Sequence, residues 1–409
     1  MTDTVRVREL AEVNPSVPEF ESLPADSDVT FVPLEAVWPA SRLDLSRARP
    51  KSEVSTGYVR FRDGDVLVPK VTPTFQAARS ALAVGVPTTV GAASTEVHIV
   101  RPRPGNDPRY VTYGFHTEQF LGEGVSAFQG VAGLQRVPDL FLRDFRIRRR
   151  SLEEQRQIAD FLDDQVARID EIVRLREEQI GSLRMRLQTL VDQDFQSEET
   201  DPKASLLLRV TPGYAFPSEG FSHDAEDVRL LRGVNVGVGE LNWEDSVHWA
   251  APTASLKPFN LHAGDVVMGM DRPWIRGGMR IAKVAAEDLP ALLLQRVALL
   301  RPGPSLEVDY MYWAYRATAF RLAVESELTG LSVPHLSAEQ ICSYRIPLLD
   351  QAAQTMIGMK MNRAAQSTAS LESEMQAHID LMQERKRSLT TAAVTGEFDV
   401  TTASGRGVA

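Results

Sequence analysis

Residues 151–200 read SLEEQRQIADFLDDQVARIDEIVRLREEQIGSLRMRLQTLVDQDFQSEET, and this stretch decides the architecture. Leu162, Val166, Ile169, Val173, Arg176, Ile180, Leu183, Leu187 and Leu190 follow at alternating spacings of four and three. That is the period of a coiled-coil seam, interrupted once by a polar residue at Arg176. The segment has no proline, and Glu153 and Glu154 after Ser151 suit the positive end of a helix dipole. Nearly forty residues at ~1.5 Å each make a helix of ~60 Å. Such a helix is longer than a domain of ~150 residues is wide, so its apolar stripe calls for a second helix.

The chain supplies one through a repeat. Gly64-Asp65-Val66 recurs as Gly264-Asp265-Val266, and Val97-x-x-x-Arg101-Pro102 as Val297-x-x-x-Arg301-Pro302, at an offset of 200. At an offset of 199, Arg146-Ile147, Gln155, Ile158, Ile180 and Leu190 meet Arg345-Ile346, Gln354, Ile357, Ile379 and Leu389. The matches are collinear, so the chain reads as two copies of one module, a globular part of ~145 residues and then a helix. The counterpart seam is weaker: Met361, Ala365, Thr368, Glu372, Met375, Ile379, Met382, Lys386 and Leu389. The alternative is two amphipathic helices, each packed only on its own domain.

The globular parts show short strand-like runs at Asp65–Val68, Glu96–Val100, Asp265–Met268 and Arg296–Leu300 between Gly- and Pro-bearing turns. Tyr310–Glu325 reads as one helix. The expected class is α+β (mixed α/β).

Length and composition agree: 409 residues predict two to four domains, and 43% hydrophobic content lets each bury a core. The net charge of −10 would argue against a nucleic-acid partner if it were evenly spread, but residues 151–200 alone carry 13 acidic and 6 basic residues. The acidity belongs mainly to a helix. No apolar run approaches the ~20 residues of a bilayer crossing, and Met1–Leu10 is too charged for a signal peptide, so a cytoplasmic protein is expected. The lone cysteine, Cys342, and seven scattered histidines offer no disulfide or zinc site.

Catalytic signatures are missing. There is no GxxxxGK[ST] loop and no GxSxG elbow. Gly122-x-Gly124-x-x-Ala127 matches the relaxed dinucleotide fingerprint but lacks its preceding strand and acidic partner. His98, His116 and His248 sit in strand-like or aromatic contexts that suit structural roles.

What remains is a set of cations, amides and aromatics in two loops. Lys70, Thr72, Gln76 and Arg79 lie in the first copy; Arg272, Trp274, Arg276 and Arg280 lie in the second. Arg136 and His335 complete the candidate set. Lysine and arginine neutralise phosphates, and arginine and glutamine make bidentate contacts with guanine and adenine edges. Taken singly, each cation could equally be a solvated loop residue.

An ordered set of short motifs resembles a known family. GDVLVPKVTP at 64–73, STEVHIVRP at 94–102 and LEEQRQIA at 152–159 look like the DNA specificity subunit of type I restriction–modification enzymes. The second copy adds GDVVMGMDRPW at 264–274, LLQRV at 293–297 and TAAVTG at 391–396, so the resemblance runs from about Val7 to Val400.

The resemblance implies target-recognition domains at 1–147 and 200–345, spacer helices at 148–199 and 346–400 pairing as an antiparallel coiled coil, and a tail at 401–409. It further implies a non-catalytic chain that reads an asymmetric bipartite site on double-stranded DNA. This chain would bind no cofactor. Two copies of an adenine-methyltransferase subunit, carrying S-adenosylmethionine, would dock on it, and an ATP-dependent restriction subunit could join. One departure is the helix entry Ile147-Arg148-Arg149-Arg150-Ser151-Leu152, where the family has prolines. Its three arginines suggest contact with phosphate or with an acidic partner.

Two readings from other classes remain. S-adenosylmethionine binding by the isolated chain would mark a fused methyltransferase or nuclease. An assembly with no sequence preference would mark a coiled-coil scaffold.

Overall fold

A computed structural model describes residues 3–38, 42–130, 135–250, 253–325 and 334–400. The tail expected at 401–409 lies outside the described residues. The chain forms two compact units, one made of Met1–Glu177 with Met375–Ala409, the other of Glu178–Glu374.

The two units repeat one architecture. In the first, an antiparallel sheet runs Ala11–Val13, Val97–Pro102, Val66–Pro69, Ala81–Leu82. A second sheet runs Ala48–Pro50, Asp28–Val32, Gly91–Ser94, Tyr58–Phe61, its central pair parallel. The second unit has Leu208–Pro212, Val297–Pro302, Val266–Gly269, Ile281–Lys283 in one sheet. Its other sheet is Phe221–Ser222, His248–Trp249, Val228–Leu231, Ala291–Leu293, again with a parallel pair. All four runs read as strands from the sequence lie in these sheets.

Two long helices, Leu152–Asp194 and Gln351–Thr395, each begin in one unit and end in the other. Ser151 starts the first with a capping box: its hydroxyl accepts from the Glu154 amide (3.2 Å), and Glu154 accepts from the Ser151 amide (2.8 Å). Asp350 caps the second through the Ala353 amide at 2.9 Å. Gly396, at φ +78°, ends it in a left-handed conformation that a side chain would resist.

The helices pair antiparallel. In the first unit Lys386 meets Asp170 at 2.7 Å and Arg176 meets His378 at 3.2 Å; in the second Arg184 meets Glu372 at 2.9 Å and Lys360 meets Asp194 at 2.7 Å. As one number rises the other falls. Every seam residue from Leu162 to Leu190 and from Met361 to Leu389 is buried or half-buried. The interrupting Arg176 is satisfied by the histidine opposite. The seams also join the cores: Ile158 and Leu162 pack with Ala393 and Val394 in the first unit, Val191 and Phe195 with Met361 in the second.

Two sequence readings need correction. Tyr310–Glu325 is not one helix but two, Val308–Ala314 and Thr318–Glu325. Asp192 on the long helix accepts from the Thr318 amide (2.7 Å) and hydroxyl (2.8 Å), which starts a new helix there. The first long helix stops at Asp194 instead of running to Thr200. The glycines of the relaxed fingerprint lie inside the helix Glu118–Ser126, with Gly124 against Phe75, so no phosphate loop exists there.

Candidate nucleic-acid interface

In the first unit, the loop after Val66–Pro69 is held by backbone bonds. Lys70 N–H donates to Glu96 (2.8 Å), Val137 N–H to Lys70 (2.9 Å) and Thr72 N–H to Gln135 (3.4 Å). Val71 bridges Arg136. Arg136 holds Glu96 in a two-pronged pair, 2.8 Å at each prong, which lowers the Glu96 carboxyl and raises the guanidinium. Lys70 donates to the Thr95 carbonyl at 2.7 Å, and its partial burial lowers its pKa. Thr72 is half-buried and Gln76 is exposed. Arg79 is half-buried, its Nε without a partner among the described residues. Phe75 anchors the loop with its ring 5.3 Å from that of Phe120.

The second unit repeats the scaffold. Met270 N–H donates to Arg296 (2.9 Å), Leu336 N–H to Met270 (2.8 Å) and Arg272 N–H to Pro334 (2.8 Å), while Asp271 bridges His335. Here Asp271 Oδ1 takes His335 Nδ1 at 2.7 Å and Arg296 Nη1 at 3.3 Å. Trp274 anchors the loop against Phe320, ring centres 5.8 Å apart. Arg280 turns inward, donating to the Val236 and Asp271 carbonyls at 2.9 Å each, and burial lowers its pKa. Arg272 and Arg276 are exposed and make no side-chain bond among the described residues.

The ten sequence candidates therefore fall into two sets, one in each unit, at equivalent places. Not all present their chemistry outward. Trp274 and Arg280 are anchors, Lys70 and Arg136 are tied to neighbours, and Gln76, Arg272 and Arg276 reach solvent.

Sequence reasoning missed Glu96, Asp271 and Arg296, which fix the loops. The repeat carried their signal, since Val71 and Glu96 align at an offset of 200 with Asp271 and Arg296, and Arg136 aligns at 199 with His335. The charges have traded places between the copies, so matching identities could not reveal them.

The helix-entry arginines bond within the fold. Arg148 donates to the Thr395 carbonyl (2.6 Å) at the end of the second long helix, Arg149 lies 3.7 Å from Asp3, and Arg150 pairs with Glu154 at 3.1 Å. His98 and His116 are structural as well. His98 bonds Asn14 and the Val137 carbonyl, His116 the Ser80 carbonyl, and burial pushes both down to about 4. His248 is buried, its Nδ1 without a partner among the described residues. No cluster of metal-ligating side chains and no helix long and apolar enough to cross a membrane occurs among the described residues.

The fold and its two equivalent loops define a tandem-module protein. No family model matches the chain. It is 25% identical to the type I restriction enzyme EcoAI specificity subunit of Escherichia coli, over 89% of this chain and 77% of that one. It is 29% identical to the EcoEI specificity subunit of the same organism, over 35% of this chain and 24% of that one. A chain solved in work on the complex assembly and conformational transition of the type I R-M system shares the fold, with a TM-score of 0.74 at 17% identity, 97% of this chain and 98% of that one being covered. The chain is similar to the type I restriction enzyme specificity subunits over most of its length.

Proposed function

We propose that this chain is the sequence-specific DNA-recognition subunit of a type I restriction–modification complex and is itself non-catalytic. The observation that carries the reading is one loop scaffold built twice, with different side chains at equivalent positions: Val71, Glu96 and Arg136 in one copy, Asp271, Arg296 and His335 in the other. Two copies of one frame with divergent surfaces suit two different half-sites of an asymmetric, bipartite sequence.

In this reading residues 1–147 and 200–345 are the target-recognition domains, and 148–199 and 346–400 are spacer helices. Lys70, Thr72, Gln76, Arg79 and Arg136 serve one half-site; Arg272, Trp274, Arg276, Arg280 and His335 serve the other, some by contact and some by holding the loop. Two adenine-methyltransferase subunits bring S-adenosylmethionine, and an ATP-dependent restriction subunit completes a cleaving complex. The protein works in the cytoplasm.

The test is methyl transfer to DNA by the chain alone and with its cognate methyltransferase subunit. The expected result is none from the chain alone, and methylation at one defined sequence from the pair. Methyl transfer by the isolated chain would make it an enzyme instead.

A further inference from the structure

The second loop contains an element that the first lacks. Where residues 72–78 coil as turns, the second copy builds a hairpin, Trp274–Ile275 paired with Gly278–Met279 around Arg276-Gly277. Side chains alternate across a strand. Trp274 and its cross-strand partner Met279 face inward, Met279 being 3% exposed. Ile275 therefore faces outward and is 49% exposed, and the residue opposite it is Gly278, which has no side chain to cover it.

The hairpin is held at its base. Besides the Trp274–Phe320 contact, Arg280 fixes the returning strand to Val236 and Asp271. An aliphatic knob on an anchored ribbon, beside exposed Arg276 and Arg272 and with Arg296 near the hairpin's base, presents apolar and cationic chemistry to one ligand.

We infer that the hairpin Trp274–Met279 enters the major groove of one half-site, with Ile275 against the 5-methyl group of a thymine and Arg276 on an adjoining base or phosphate. A two-stranded ribbon fits the major groove, and the thymine methyl is the apolar group on its floor. Gly277 at the turn is exposed, so the ribbon's tip can approach the groove closely. The inference rests on the DNA-recognition reading above and names the residue that reads one base.

The experiment uses the complex of the full chain with its methyltransferase, and duplexes in which each thymine of both half-sites is replaced in turn by deoxyuridine. One replacement should weaken wild-type binding about fourfold, the worth of a buried methyl. Ile275→Ser should weaken binding to the unmodified site similarly and lose all response to that replacement. Arg276→Ala should weaken the same half-site and leave the other unchanged. Because Ile275 and Arg276 are exposed, both variants should melt like the wild type, which is checked alongside. If no thymine responds, or if the response persists in Ile275→Ser, the inference is overturned while the recognition function stands. A complex with no defined site would overturn both.

Discussion

Arg101 grips Asp65 through two hydrogen bonds of 2.7 Å, one to each oxygen of a carboxylate that is 1% exposed. The second unit repeats the contact between Arg301 and Asp265 at 2.8 and 2.6 Å. Each aspartate also accepts a backbone amide three residues before it, from Arg62 and His262, at 2.8 Å. Removing the carboxylate leaves a partly buried guanidinium without its partner and the backbone amide without its acceptor, which destabilises that unit. Asp65→Asn should therefore raise amide hydrogen exchange in peptides from the first unit's sheets and leave the second unit's near wild type, and Asp265→Asn should do the reverse. Equal effects in both units would mean that the units unfold as one.

The pH dependence of stability should carry a histidine signature. His98 Nδ1 faces the Asn14 amide at 3.1 Å while Nε2 donates to the Val137 carbonyl at 3.0 Å, so both nitrogens are satisfied in the neutral ring. Burial pushes its pKa down to about 4 from the usual 6.5. Between those values the unfolded chain binds the extra proton, so stability is fully present above pH 6.5 and is lost as pH falls toward 4. The full loss for this group is about 3 kcal/mol. Urea unfolding at pH about 7 and about 4.5 should show a smaller difference in His98→Gln than in the wild type. An unchanged difference would contradict the assignment.

Much of this was legible in the sequence because the repeat matched residues under the strictest physical constraint. The recurring Gly-Asp-Val and Arg-Pro motifs are the two ends of the Arg101–Asp65 and Arg301–Asp265 pairs. The matched glutamines, Gln155 and Gln354, are buried and accept the Asp107 and Glu307 amides at 2.8 Å in both copies. The seam was legible for the same reason, since burial of Leu162, Ile169 and Ile180 leaves a period in the sequence.

The site was less legible. Trp274 and Arg280 look like ligand-facing loop residues, yet a long side chain can fold back onto its own scaffold, and no local pattern announces that direction. The break before Thr318 depends on Asp192, 126 residues away. Sheet order and the parallel strand pairs depend likewise on pairings between distant segments.

The helix pair yields a prediction about spacing. Seven residues of matching heptad pattern inserted after Glu177, with seven more after Glu374, fall at the unit boundaries and spare the Arg176–His378 and Arg184–Glu372 contacts. Each helix grows by roughly 10 Å. If the pair sets the half-site separation, the gap should lengthen by up to about three base pairs at 3.4 Å each, with the bases of each half unchanged. An insertion in one helix alone should mainly cost stability, read as a lower melting temperature.

Under the proposed function, one duplicated chain reads a two-part sequence for a partner that does the chemistry. The most direct measurement is a base-resolution map of methylated adenines in DNA exposed to the complex of this chain with its methyltransferase subunit. The expected result is a single asymmetric motif of two specified segments separated by a fixed run of unspecified bases. A continuous motif, a palindrome, or methylation with no sequence preference would contradict it.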